Sequence, residues 1–169
     1  MTIHSGHPFP TPSDPARRFR GRVAGGVTLW TAADGGEGGD RAGLTVSSLM
    51  VALGEEPCLL ALLDPDSDLL ELLRETGRAV VVPLRWEDRG LAEAFAGTAP
   101  APGGPFRQAA WEQTPFGPRL ATADTWAGVE LVEERAIGWS VEVRARLDRV
   151  EIGEESDVLL HHRGRFHKL

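Results

Sequence analysis

Along residues 141–148 apolar side chains (Val141, Val143, Ala145, Leu147) alternate strictly with charged ones (Glu142, Arg144, Arg146, Asp148). A period of two places one kind on each face of an extended chain, so the pattern predicts a half-exposed strand. The same reasoning extends it to 139–152 and pairs it with a second extended stretch over 125–135. Cys58–Leu63 is a continuous apolar run of strand length and predicts a strand central in a sheet. β-Branched and aromatic residues predict further strands at 27–32, 44–53 and 78–84, with a glycine-rich hairpin loop at 34–43 between the first two.

Helical periods are fewer and shorter. Ser13 or Asp14 can cap a helix that has Pro15 in its first turn and runs through Arg22, ended by Gly25 and Gly26. Leucines at 69, 70, 72 and 73 follow the candidate caps Ser67 and Asp68, and Gly77 lies just beyond. That spacing predicts a short amphipathic helix over 67–75. A third helix is predicted over 87–96, with Leu91, Ala94 and Phe95 on one face and Gly97 as its stop. Residues 97–118 read as a long Pro/Gly loop, and residues 1–13 as an irregular Pro-rich arm. Many strands with a few short helices over 14–169 predict one mainly β domain, a small β-barrel with peripheral helices.

Composition agrees with turn-rich strands: the 169 residues include 20 glycines and 12 prolines. The formal net charge of −7 offers no overall field toward phosphate backbones or anionic lipid, so no nucleic acid is expected as a partner. Apolar runs reach no more than seven residues, far short of a membrane span, so no membrane is expected either. The lone Cys58 allows no internal disulfide, and no export signal opens the chain. These features predict a cytoplasmic protein.

Several phrases occur in a telling order: Gly26-Val27, then Gly43-Leu44-Thr45-Val46-Ser47-Ser48, then Glu56-Pro57 before the apolar strand that ends in Asp64. Leu73 to Arg78 reads Leu-Arg-x-x-Gly-Arg, and Leu91 to Gly97 reads Leu-Ala-Glu-Ala-Phe-Ala-Gly. The C-terminal phrase runs Leu160-His161-His162-Arg163-Gly164-Arg165-Phe166-His167. In this order and spacing the chain resembles the flavin reductase-like family of FMN-binding split β-barrels, over about residues 14–169.

The resemblance implies a homodimer that passes hydride from NADH or NADPH to FMN, or as second choice FAD, with a partner monooxygenase as one acceptor of the reduced flavin. It implies that Thr45, Val46, Ser47 and Ser48 lie against the isoalloxazine ring and that Asp64, Ser67 and Asp68 border the ribityl phosphate. Phe95, His162 and Arg165 join them as cofactor-side candidates, with Trp139 and Ser140 toward the nicotinamide. Hydride transfer to a flavin asks no acid or base of the protein. No catalytic side chain is therefore expected, in keeping with the lack of a nucleophile motif or a usefully spaced carboxylate pair.

The chain also departs from the family pattern. Its phosphate segment reads Asp64-Pro65-Asp66-Ser67-Asp68-Leu69, without the usual arginine and threonine. A carboxylate within about 6 Å of a phosphate costs on the order of 1–3 kcal/mol near a surface. Met50 stands where relatives carry a hydroxyl residue, and Trp139-Ser140 replaces an Asp-His pair. These changes keep a second reading open, a non-catalytic dimeric split-barrel module with a degraded site. Thr45, Ser47 and Ser48 can equally be polar positions of a one-sided strand, and Ser67 and Asp68 plain helix caps. Phe95 reads as core first. Adjacent histidines on a strand face opposite ways, and no cysteine or paired carboxylate lies near them at ligand spacing, so no metal is expected at His161, His162 and His167.

Overall fold

In the computed structural model residues 14–35, 39–154 and 157–169 are described, and the predicted arm over 1–13 lies outside them. The chain begins with α1 (Pro15–Arg22), β1 (Gly25–Gly26), β2 (Thr28–Ala33), β3 (Arg41–Val46), β4 (Leu49–Ala52) and β5 (Cys58–Leu63). It continues with α2 (Asp68–Thr76), β6 (Arg78–Pro83), α3 (Arg89–Phe95), β7 (Trp111–Thr114) and β8 (Gly117–Leu120). The last third holds β9 (Trp126–Ile137), β10 (Ser140–Glu151), β11 (Leu159–His162) and β12 (Arg165–Lys168).

Seven strands form one antiparallel sheet in the order β3-β2-β6-β9-β10-β5-β4. The two edge strands, β3 and β4, are consecutive in sequence and separated only by Ser47 and Ser48. The sheet therefore curls until a single passage of chain links its two edges, a split barrel that is nearly closed. Residues 44–53, predicted as one strand, change sheet partner in mid-course: Thr28 pairs with Val46 before the change, and Leu49 pairs with Ala61 after it. Register shifts between Arg144 and Ala145 and between Leu147 and Arg149 bend the long β9–β10 ribbon around the barrel.

The interior follows the alternation. Leu59, Ala61 and Leu63 of β5 face inward beside Val141, Val143 and Ala145 of β10, and Trp30 fills the space across from them. Helix α2 packs against β2 and β3 and adds all four of its leucines to this core. Each buried leucine contributes about 1.5–3 kcal/mol. Ser67 caps the helix by accepting from the Leu70 N–H, and Gly77 closes it in the left-handed region at φ 70°. Asp14 caps α1 in the same way, accepting from the Ala16 N–H at 3.0 Å.

A second core lies beneath α3. There Phe95 meets Phe106 and Trp111 edge to face, with ring centroids 5.0 and 5.8 Å away. Residues 97–118 are accordingly not a plain loop. They hold a 3-10 turn (Pro105–Gln108) and the start of the β7–β8 hairpin, tied by a bond from Trp111 Nε1 to the Phe106 carbonyl at 2.7 Å. Helix α3 starts later than predicted because a 3-10 turn (Trp86–Asp88) precedes it, with Asp88 accepting from the Arg85 N–H. Among the described residues no helix is long and apolar enough to cross a membrane.

Candidate functional site

The change of partner at Ser47–Ser48 leaves polar groups with nothing to bond. Ser48 is fastened to β5 twice: its carbonyl accepts from the Leu62 N–H at 3.1 Å, and its Oγ donates to the Leu62 carbonyl at 2.9 Å. Among the described residues, the Ser47 hydroxyl and the N–H groups of Ser47 and Ser48 find no protein acceptor. All are half-buried, so they form an edge of oriented donors between the two margins of the sheet. Beside them Met50 and Leu62 are 67% and 43% exposed. A flat heteroaromatic ring with acceptors along its rim is the ligand that suits donors bordered by apolar surface.

The other two residues of the predicted ring segment have different work. Thr45 Oγ1 donates to the Ala92 carbonyl at 2.7 Å and so pins α3 to β3. Val46 is buried in the barrel core, and its carbonyl accepts from Thr28 Oγ1 at 2.9 Å. Phe95 is 6% exposed and lies against Gly43, where a Cβ would come within 2.5 Å of its ring. It supports the segment from behind and does not line the edge.

The predicted phosphate segment follows directly from β5. Its groups already bond one another: Asp64 Oδ1 accepts from the Asp66 N–H at 3.0 Å, and the Asp64 carbonyl accepts from both the Ser67 N–H and Ser67 Oγ. Ser67 Oγ in turn accepts from Leu70. Asp68 is exposed in the first turn of α2, where a carboxylate complements the helix dipole. The Asp66 and Ser67 N–H groups are thus occupied, the first of them by a carboxylate, whereas the N–H groups of Asp68 and Leu69 at the head of α2 have no protein acceptor among the described residues.

The register brings the remaining candidates to the same end of the barrel. Val141 pairs with Leu63, so Ser140 and the turn holding Trp139 lie beside Asp64. Trp139 is 63% exposed. On the outer surface Glu142, paired with Leu62, bonds Arg135 at 2.9 Å, and this bond raises the arginine above its ordinary pKa. On the other side of Ser47 runs β1. Gly25 is held so close that a Cβ there would sit 2.8 Å from the Ser47 carbonyl oxygen, and Gly25 pairs with His161 of β11. The β11–β12 hairpin, which carries His162 and Arg165, is thereby tied to the same edge. Burial lowers the His161 imidazole below its ordinary value, and Arg20, His162 and His167 push it the same way.

Gly25 and Leu62 are the two positions that sequence reasoning missed. Only the Gly25-Gly26 doublet hinted at a close backbone approach. Leu62 looked like any other residue of an apolar strand. Among the described residues no three histidine, cysteine or carboxylate side chains gather as a metal site.

Comparison with known proteins bears on this geometry. The styrene monooxygenase flavin reductase from Pseudomonas putida S12 superposes with a TM-score of 0.78 at 23% identity, covering 91% of this chain and 96% of that one. The NADH:FAD oxidoreductase of Streptomyces globisporus C-1027 gives 0.81 at 19% identity, covering 94% of each chain. The flavin reductase component of a bacterial two-component tryptophan halogenase gives 0.76 at 24% identity, covering 91% of this chain and 98% of that one. A search of curated proteins found no match. The flavin reductase like domain model matches residues 20–169. With nearly its whole length matched, the chain belongs to the flavin reductase-like family.

Proposed function

We propose that this protein reduces a flavin at the expense of NADH or NADPH, holding the flavin ring at the Ser47–Ser48 edge. The observation that carries this reading is the set of donors without protein acceptors at that edge, in a chain matched to the family over residues 20–169. A bound flavin supplies the hydride acceptance and electron storage itself. The chain's own residues bind, orient and exclude water. Ser47 Oγ and the two N–H groups donate to the ring edge, Met50 and Leu62 shield its rim, and Trp139 offers a flat face toward the nicotinamide. FMN is the flavin of first choice and FAD the second.

The active form on this reading is a homodimer. The outer face of β4 and β5 carries Met50 directly opposite Leu60, with Leu62 next along the strand, and this apolar strip borders the edge. Exposed apolar area of this kind marks an interaction surface. A second copy covering it would enclose the ring. By likeness to the styrene monooxygenase flavin reductase, reduced flavin then leaves for a partner monooxygenase.

The test is a titration of the purified protein with riboflavin, FMN and FAD, followed by NADH and NADPH oxidation with each flavin added. Flavin binding, with nicotinamide oxidation that requires the flavin, is the expected result. If no flavin binds and neither nicotinamide is oxidised, the protein is instead the non-catalytic module, a reading favoured by the self-satisfied Asp64–Ser67 turn.

A further inference from the structure

The β11–β12 hairpin is anchored at its base and lightly held toward its tip. At the base Leu159 is fully buried; its carbonyl accepts from the Val27 N–H at 2.9 Å and its N–H donates to the Leu84 carbonyl at 3.0 Å. Nearer the tip, β11 meets β1 only where Gly25 pairs with His161 and Gly26 with Leu160, two glycines with no side chain to add to the contact. The Arg163 N–H, donating to the Gly21 carbonyl at 2.9 Å, ties the turn to the end of α1. A connection of so few backbone bonds opens at lower cost than the long ladders of the barrel. Yet β1 is the strand pressed against the Ser47 carbonyl, so it carries the state of the hairpin to the donor edge.

His161 sits at this tie. It is half-buried, and its ring meets that of Phe166, its cross-strand partner, with centroids 5.9 Å apart. Among the described residues, the charged and titratable groups that act on it are all basic: Arg20 of α1, His162 beside it on β11, and His167 of β12, whose ring lies 5.9 Å from that of His162. β1 brings only glycine. Asp157, at the foot of β11, is committed to Lys168, and Glu87 and Asp88 to Arg85, whose backbone bridges Val158. A neutral imidazole suits this setting, and burial first, then these basic neighbours, hold it neutral below its ordinary range. An imidazolium would stand half out of water among like charges, a cost relieved when the tip moves into solvent.

We propose that His161 is a proton-operated catch on the donor edge: once protonated, it frees the β11–β12 tip from β1, Gly25 no longer braces Ser47, and the edge loses its hold on a ring. The catch rests on the flavin reductase reading only for what the edge binds. Its sign follows from linkage. The closed form holds His161 below the value of an open chain, so the open form takes up the extra proton, and the closed form loses stability as pH falls from about 6.5 through the lowered value.

The test titrates riboflavin into the native protein and into His161→Gln from about pH 8 to about pH 5, and follows amide exchange at Gly25, Gly26 and His161 over the same range, corrected for the intrinsic rate. Native affinity is expected to fall at least fivefold toward acid while exchange at the tie quickens. His161→Gln, which takes up no proton, should change less than twofold in both. Should that variant fail to fold, His161→Phe, an uncharged ring beside Phe166, carries the same expectation. A variant that responds to pH as the native protein does overturns the proposal, and so does a native tie whose exchange is indifferent to pH. Riboflavin that binds at no pH, with exchange responding as expected, counts against the flavin reading and leaves the catch standing.

Discussion

Single residues here divide sharply between holding the edge in place and presenting it. Thr45 belongs to the first kind, since its hydroxyl is committed to the Ala92 carbonyl. Thr45→Val keeps the shape and removes the donor. A net loss of about 1 kcal/mol is expected, read as a lower urea midpoint at unchanged slope. Ser47 belongs to the second kind, with a hydroxyl that serves nothing in the fold. At the acidic turn, Asp64 accepts from the Asp66 N–H and so takes one donor that an anion could have used, while Asp66 and Asp68 add like charge beside it.

At the scale of elements, the decisive contact is that of β1 with the Ser47 backbone. Gly25→Ala drives a methyl group to 2.8 Å from a carbonyl oxygen that cannot move without disturbing the edge. Flavin affinity is expected to fall at least tenfold, with a stability cost of about 1–3 kcal/mol. Gly26→Ala is the control, because nothing lies within 4 Å of its Cβ position. Flavin titration and thermal melting of the two variants test the difference. Elements set by local chemistry were legible in the sequence: Cys58–Leu63 has the predicted bounds, and α2 has the predicted cap and stop. What was not legible depended on partners distant in sequence. Nothing between Leu44 and Leu53 announces that one strand will serve two sheet edges, and only the pairing of Leu49 with Ala61 makes it do so. The β7–β8 hairpin was hidden by Pro/Gly composition, because its stability comes from Trp111 packing on Phe95 and Phe106. At the site, the Ser47–Ser48 segment was found through resemblance, whereas Gly25 needed the fold.

The whole molecule presents its apolar strip to solvent as a single chain. If the strip is the seam of a homodimer, light scattering should give twice the chain mass at micromolar concentration. Leu62→Glu, which sets a carboxylate at a 43% exposed apolar position, should give the monomer and weaken flavin binding with it. A monomeric native protein would remove the dimer from the account and leave the ring site open to water. The crossing of the chain from one sheet edge to the other has a consequence in time. The donors at Ser47 and Ser48 are positioned by the β2–β3 ladder on one side and the β4–β5 ladder on the other, so the edge exists only where both ladders are in place. A chain still open at that seam has no recognition edge to show. Ligand capture is therefore reserved for molecules that have finished folding, and a bound ring, by bridging the seam, acts as a latch that slows its reopening.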